Sequence, residues 1–342
     1  TSLTVPRKCD KITRRLNRED VRDAVPRSAK NLRFLDFLFC LTCMQSGVFK
    51  SIERAKRRKG AGNMFPAGGW GRAPTLPHPK GAAMFDYLST LFSEPLAFFD
   101  QAIFRTLAVL IGLCCHEWGH AYVAYRCGDD TAKRAGRLTL NPLHHLDPVG
   151  TILMFFVGFG YAKPVPVNPY NFRGDRNKDD FLVSIAGITV NLILFVLFTY
   201  LAVLCSAFMW DKQFVAYNGL SKVVSYEYNA VWSVISGSAQ QDFGAVIANG
   251  WLVPFVRLFA YTALVNLNLA VFNLIPLPPL DGYHVVNDLI FKGRYQLSQK
   301  AFRIGMLIVL VLSAQGILGR IISWVVYPAQ GLLLAPIRAI WG

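Results

Sequence analysis

Four stretches of this chain are long and apolar enough to cross a lipid bilayer, and they constrain its fold more than any other feature. They run over about residues 103–125, 181–210, 251–275 and 301–326. A spanning helix needs roughly 20 mostly apolar residues because the hydrocarbon core is about 30 Å thick. Inside that core every backbone N–H and C=O must find its partner within the protein, which restricts spanning structure to helices and closed barrels. Unbroken apolar runs of this length read as helices. The expected fold is an all-α, polytopic membrane protein with about four to six transmembrane helices, multi-pass in the bilayer (the inner or plasma membrane if the chain is bacterial). Composition agrees: 53% of residues are hydrophobic and 17% charged, against about 25% charged in soluble domains.

Shorter apolar stretches fill in the picture. Residues 84–100 carry Asp86, Glu94 and Asp100, and residues 327–341 close the chain; both read as interfacial. Residues 149–162 are too short to span easily and run into a Pro-rich stretch, so they predict a re-entrant or extended segment. Such backbone is tolerated at membrane depth only where protein or a watery cavity covers it. Basic residues mark the cytoplasmic side. They cluster in 126–137, 171–178 and 292–303, whereas 211–249 holds only Lys212 and Lys222. The three basic loops are therefore expected on one side.

Charge divides the chain in two. Residues 1–83 hold 18 of the 36 Lys and Arg but six of the 21 Asp and Glu, so most of the net charge of +15 lies there. This segment reads as a basic, solvated and disordered extension, and residues 84–342 as the membrane-embedded domain. No nucleic-acid fold signature accompanies the basic residues, so no nucleic-acid partner is expected. The seven cysteines are odd in number and scattered, which does not suggest a disulfide framework.

Within the first apolar run, residues 116–120 read His-Glu-Trp-Gly-His. On a helix, positions i and i+4 share a face, so His116 and His120 would converge on one metal ion with Glu117 beside them as base. Ionisable groups at membrane depth are costly and are retained for function. A catalytic zinc usually takes three protein ligands. His144 and His145, in Asn-Pro-Leu-His-His-Leu-Asp-Pro-Val-Gly, are candidates for the third. So is Asp281, which follows Pro276, Pro278 and Pro279 at the close of the third apolar run.

Here the sequence resembles the site-2 protease family of intramembrane zinc metalloproteases. The family's H-E-x-x-H matches 116–120, and its N-x-x-P-x-P-x-L-D-G matches Asn273 to Gly282. H-x-D-P-x-G falls at His145 to Gly150, and Ala-Lys-Pro-Val-Pro-Val-Asn lies within 160–173, after the re-entrant stretch. Ala186 to Asn191 resembles A-G-P-x-x-N, with Ile188 in place of the proline. The resemblance covers about residues 100–315. It implies one zinc ion per chain held by His116, His120 and Asp281, and Glu117 activating zinc-bound water. It gives Asn191 a role at the substrate carbonyl or oxyanion. The implied substrate is a transmembrane protein cleaved in or near its membrane segment, as in regulated intramembrane proteolysis, with a regulatory membrane protein as a further possible partner. His145 and Asp147 are candidates for supporting the ligands or for forming a turn.

Two other readings compete: a catalytically inactive membrane zinc scaffold, and a different membrane H-E-x-x-H protease. The retained Glu117 argues against the first, and the Pro-rich element ending in Asp281-Gly282 against the second. The 39-residue stretch 211–249 is too short for a PDZ-type domain, and no further domain is expected after residue 342, so the chain reads as a minimal catalytic core.

Overall fold

Pro95–Cys127 forms one helix of 33 residues, α1. Proline in its first turn needs no N–H partner. At the other end Gly128 takes the left-handed conformation that closes helices, with its N–H on the last carbonyls. At about 1.5 Å per residue this helix exceeds the bilayer core. The computed structural model describes residues 91–157, 162–295, 298–314 and 317–341; the basic segment 1–83 lies outside them.

After α1 come the short helix α2 (Pro148–Val157) and an extended stretch, 162–168. The 34-residue α3 (Arg176–Met209) starts on an Asp175 cap that accepts from the N–H groups of Asn177 and Lys178. α4 (Val253–Asn273) is followed by a Pro-rich turn and α5 (Asp281–Phe291). α6 (Gln299–Ala314) and α7 (Ile317–Leu333) complete the long elements. Among the described residues there is no β-strand beyond two isolated bridges.

α1, α3 and α4 pack on one another, and α5 packs on α3. Small residues allow the close approach, as is usual between membrane helices. A Cβ on Gly119 of α1 would meet Val190 of α3 at 2.9 Å, and one on Gly112 would meet Leu269 of α4 at 2.9 Å. The outward side of α3 exposes Ile193, Leu197, Leu204 and Phe208, while Phe195, Ala202 and Met209 are buried. Exposed apolar residues at helical spacing form a lipid-facing stripe. Among the described residues four helical stretches, 95–127, 176–209, 250–273 and 317–340, are long and apolar enough to cross a membrane. The chain is an all-α polytopic membrane protein.

Two boundaries differ from the expectation. Among the described residues the fourth candidate span reaches residue 340 and so takes in residues read as interfacial. α1 begins at Pro95 rather than near 103, so Asp100 lies inside the helix. Its carboxylate is met by Arg257 of α4 at 2.5 Å, which compensates a charge that the sequence alone left at the interface.

Residues 212–243 fold into four short helices, Lys212–Asn218, Leu220–Val223, Asn229–Ser236 and Ala239–Phe243. They form a cap with an apolar centre that includes Trp210, Leu220, Val234 and Leu252. The Gln330 side chain of α7 accepts from Tyr226 N–H and donates to the Val224 carbonyl. At the opposite end of α3, Arg173 N–H donates to Cys127 and the Asn177 amide to the Lys292 carbonyl, so three basic loops meet as expected.

Candidate metal centre

His116 and His120 stand one turn apart on α1, their rings nearly perpendicular at 84° and their Nε2 atoms 3.0 Å apart. The Nδ1 atom of His120 lies 2.7 Å from the Val183 carbonyl of α3 and donates to it. That bond turns Nε2 inward. Asn191, fully buried on α3, places its amide 3.2 Å from His116 Nδ1. Between these two contacts, Gly187 makes room for both rings. A Cβ there would lie 2.5 Å from His116 Cε1 and from His120 Nε2. Val183, Gly187 and Asn191 recur every four residues, and so share one face of α3.

Asp281 reaches the site from the first turn of α5. Its Oδ2 lies 3.1 Å from His116 Nε2 and 3.4 Å from His120 Nε2. Gly282 is required beside it, because a Cβ would run into the carbonyls of Leu274 and Ile275; the Pro-rich turn passes that close. Asp281 opens α5 without capping it. Burial pushes the Asp281 carboxyl up, but the hydrogen bonds and charges of the two imidazoles outweigh it and hold the group below the usual carboxylate range. Two imidazole nitrogens and a carboxylate oxygen converge here, and that oxygen, Asp281 Oδ2, is buried without a well-formed hydrogen bond. Two nitrogens and one oxygen are also a donor set that suits zinc, so the three residues fit a single metal ion. Among the described residues no other group of three such side chains could hold one.

Glu117 lies between the two histidines in sequence and turns to the extended stretch 162–168, where its Oε2 accepts the Val165 N–H at 2.8 Å. That stretch is held at both ends. Lys163 N–H donates to the His145 carbonyl at 2.8 Å. Asn168 N–H donates to Asp129 Oδ2 at 2.7 Å. Asp129 is buried and also accepts from Thr131 and Asn171. Burial alone would raise its carboxyl, but these donors outweigh it and hold it below its ordinary value.

Of the residues read from the sequence, His116, Glu117, His120, Asn191 and Asp281 are brought together. His144 and His145 are not. His145 is buried with Nε2 2.8 Å from the Thr139 carbonyl. Asp147 accepts from Gly150 N–H at 2.9 Å and starts α2; both serve the loop rather than the ligands. Gly187 and the Val183 carbonyl were missed. A glycine in the middle of a membrane helix was the available signal for the first.

The model of peptidase family M50 matches residues 104–314, most of the chain and all five of these residues. The chain belongs to peptidase family M50. Among M50-type relatives, "Putative zinc metalloprotease YwhC" of Bacillus subtilis (strain 168) is 37% identical over 221 residues, covering 65% of this chain and 84% of that protein. "Putative zinc metalloprotease Rip2" of Mycolicibacterium smegmatis is 29% identical over 239 residues, 68% of this chain and 75% of the relative. Rip2 of Mycobacterium tuberculosis (strain H37Rv) is 27% identical over 196 residues, 56% and 58% respectively. No solved structure matches significantly. This M50 chain is an integral-membrane zinc metalloprotease, and its centre lies in the helical stretch that the family shares.

Proposed function

We propose that this protease hydrolyses peptide bonds in or near transmembrane segments of other proteins, with one zinc ion held by His116, His120 and Asp281 and with Glu117 as base. The observation that carries the reading is the convergence of His116, His120 and Asp281 on one point of a spanning helix, with a carboxylate next in sequence to a ligand. Zinc in such a site supplies Lewis-acid activation of water and stabilises a developing oxyanion. Glu117 takes the proton from the attacking water and returns it to the leaving amine. His120 and His116 are oriented through their Nδ1 atoms by Val183 and Asn191. Asn191 would serve the substrate carbonyl or oxyanion only by turning from His116.

A substrate helix hides its peptide bonds in internal hydrogen bonds, so it must unwind locally before attack. The extended 162–168 stretch lies against Glu117 and offers the unwound segment a strand to pair with. A regulatory membrane partner would find a surface in the cap of short helices at 212–243.

The test is two-fold. Purified protein in detergent should carry about one zinc per chain, lost in Asp281→Ala and in His120→Ala. Glu117→Gln should keep zinc and abolish cleavage of a transmembrane reporter co-reconstituted in proteoliposomes. Full cleavage by Glu117→Gln with zinc bound would overturn the role of Glu117. Zinc retained without Asp281 would move the third ligand elsewhere.

A further inference from the structure

Residues 163–168 read Lys-Pro-Val-Pro-Val-Asn, so only four of the six carry an N–H. Three of these are engaged: Lys163 with the His145 carbonyl, Val165 with Glu117 and Asn168 with Asp129. The two outer bonds belong to loop residues that frame the segment. The central one belongs to the carboxylate assigned as base. Val165 stands between Pro164 and Pro166, which cannot donate and which favour extended backbone in the residue before each of them. The result is a stiff segment with a single donor across Pro164–Pro166, fixed at both ends and aimed at one oxygen of Glu117. At 2.8 Å the bond is at the short end of the N–H···O range.

We propose that Val165, through its backbone N–H, is a positioning residue for the catalytic base. A glutamate has three rotatable side-chain bonds, and the helix that carries Glu117 fixes only where they begin. The Val165 N–H takes up Oε2, selects one rotamer and leaves Oε1 to exchange the proton with water and the leaving amine. The two prolines keep the donor in place when a substrate pairs along the segment, because a bound strand cannot twist it away. The inference rests on Glu117 acting as base, but the hydrogen bond itself is open to a measurement that needs no activity.

The experiment uses full-length, zinc-loaded protein in detergent micelles or nanodiscs. Hydrogen–deuterium exchange over 162–168 should find the Val165 amide slow in wild type. In Glu117→Ala it should exchange at least about tenfold faster, the equivalent of ~1.4 kcal/mol for a hydrogen bond to a charged group. Lys163 and Asn168 should be unchanged. Kinetics on a transmembrane reporter then separate positioning from substrate pairing. Val165→Ala keeps the N–H and is the side-chain control against which Val165→Pro is read. Val165→Pro removes it and should lower kcat by about tenfold or more at an unchanged KM, with one zinc per chain retained. A fast-exchanging Val165 amide in wild type would overturn the proposal, as would an effect of Val165→Pro on KM alone. If Val165→Pro loses zinc or fails to fold, the exchange comparison decides. Failure of the wider reading has a different signature: Glu117→Gln would still cleave, whatever Val165 does.

Discussion

Gly187 contributes nothing but space, yet the proposed metal centre depends on it. Any side chain there would occupy the volume of the two imidazoles. We expect Gly187→Ala to reduce bound zinc below half an equivalent and activity by more than tenfold while the protein still inserts and folds; metal analysis of the purified variant checks this. At Asp129 the prediction concerns pH. Its folded value lies below the ordinary carboxylate value of about 3.9. Its contribution to stability is therefore complete above that value and is lost as the pH falls through the lower, folded one. Asp129→Asn should be less stable than wild type at pH 6, and the gap should close towards pH 3, as followed by thermal unfolding in detergent. The sequence made His116, Glu117, His120 and Asp281 legible because their spacing is itself chemistry. Val183 and Val165 were not legible, since each acts through its backbone and any residue type would have looked the same there.

Among the elements, α1, α3 and α4 could be read directly from unbroken apolar length. The end of the fourth span was set too early because apolar content continues past residue 326. The start of α1 was misread for another reason. Asp100 looked like an end to apolar structure, and its partner Arg257 is 157 residues away. Arg257 is buried, donates through Nε to the Ile235 carbonyl at 3.0 Å and lies over the Phe104 ring at 4.2 Å. Removing the acid leaves the guanidinium without its counter-charge. Because the Asp100 side chain is half exposed, the loss is smaller than the 3–5 kcal/mol typical of a fully buried pair. We expect about 1–2 kcal/mol for Asp100→Ala, measured as a lower unfolding midpoint in detergent, with partial rescue by Asp100→Asn.

The molecule as a whole joins elements far apart in sequence at one small site. His120 and Asp281 are separated by 160 intervening residues, and α3 lies between them in the chain. Metal binding to the folded state alone stabilises it by mass action. Stripping the metal with a chelator should lower the unfolding midpoint of wild type by several degrees and leave Asp281→Ala unmoved. Asp281 also sits at the end of the Pro-rich turn that α5 presses against through Gly282. On the proposed ligand set, an ion shared between α1 and α5 is a cross-link in a chain whose described cysteines are all unpaired. Cutting that link is expected to loosen the Leu274–Leu280 turn, and nicking there by an added soluble protease would then gauge how many molecules have lost their metal.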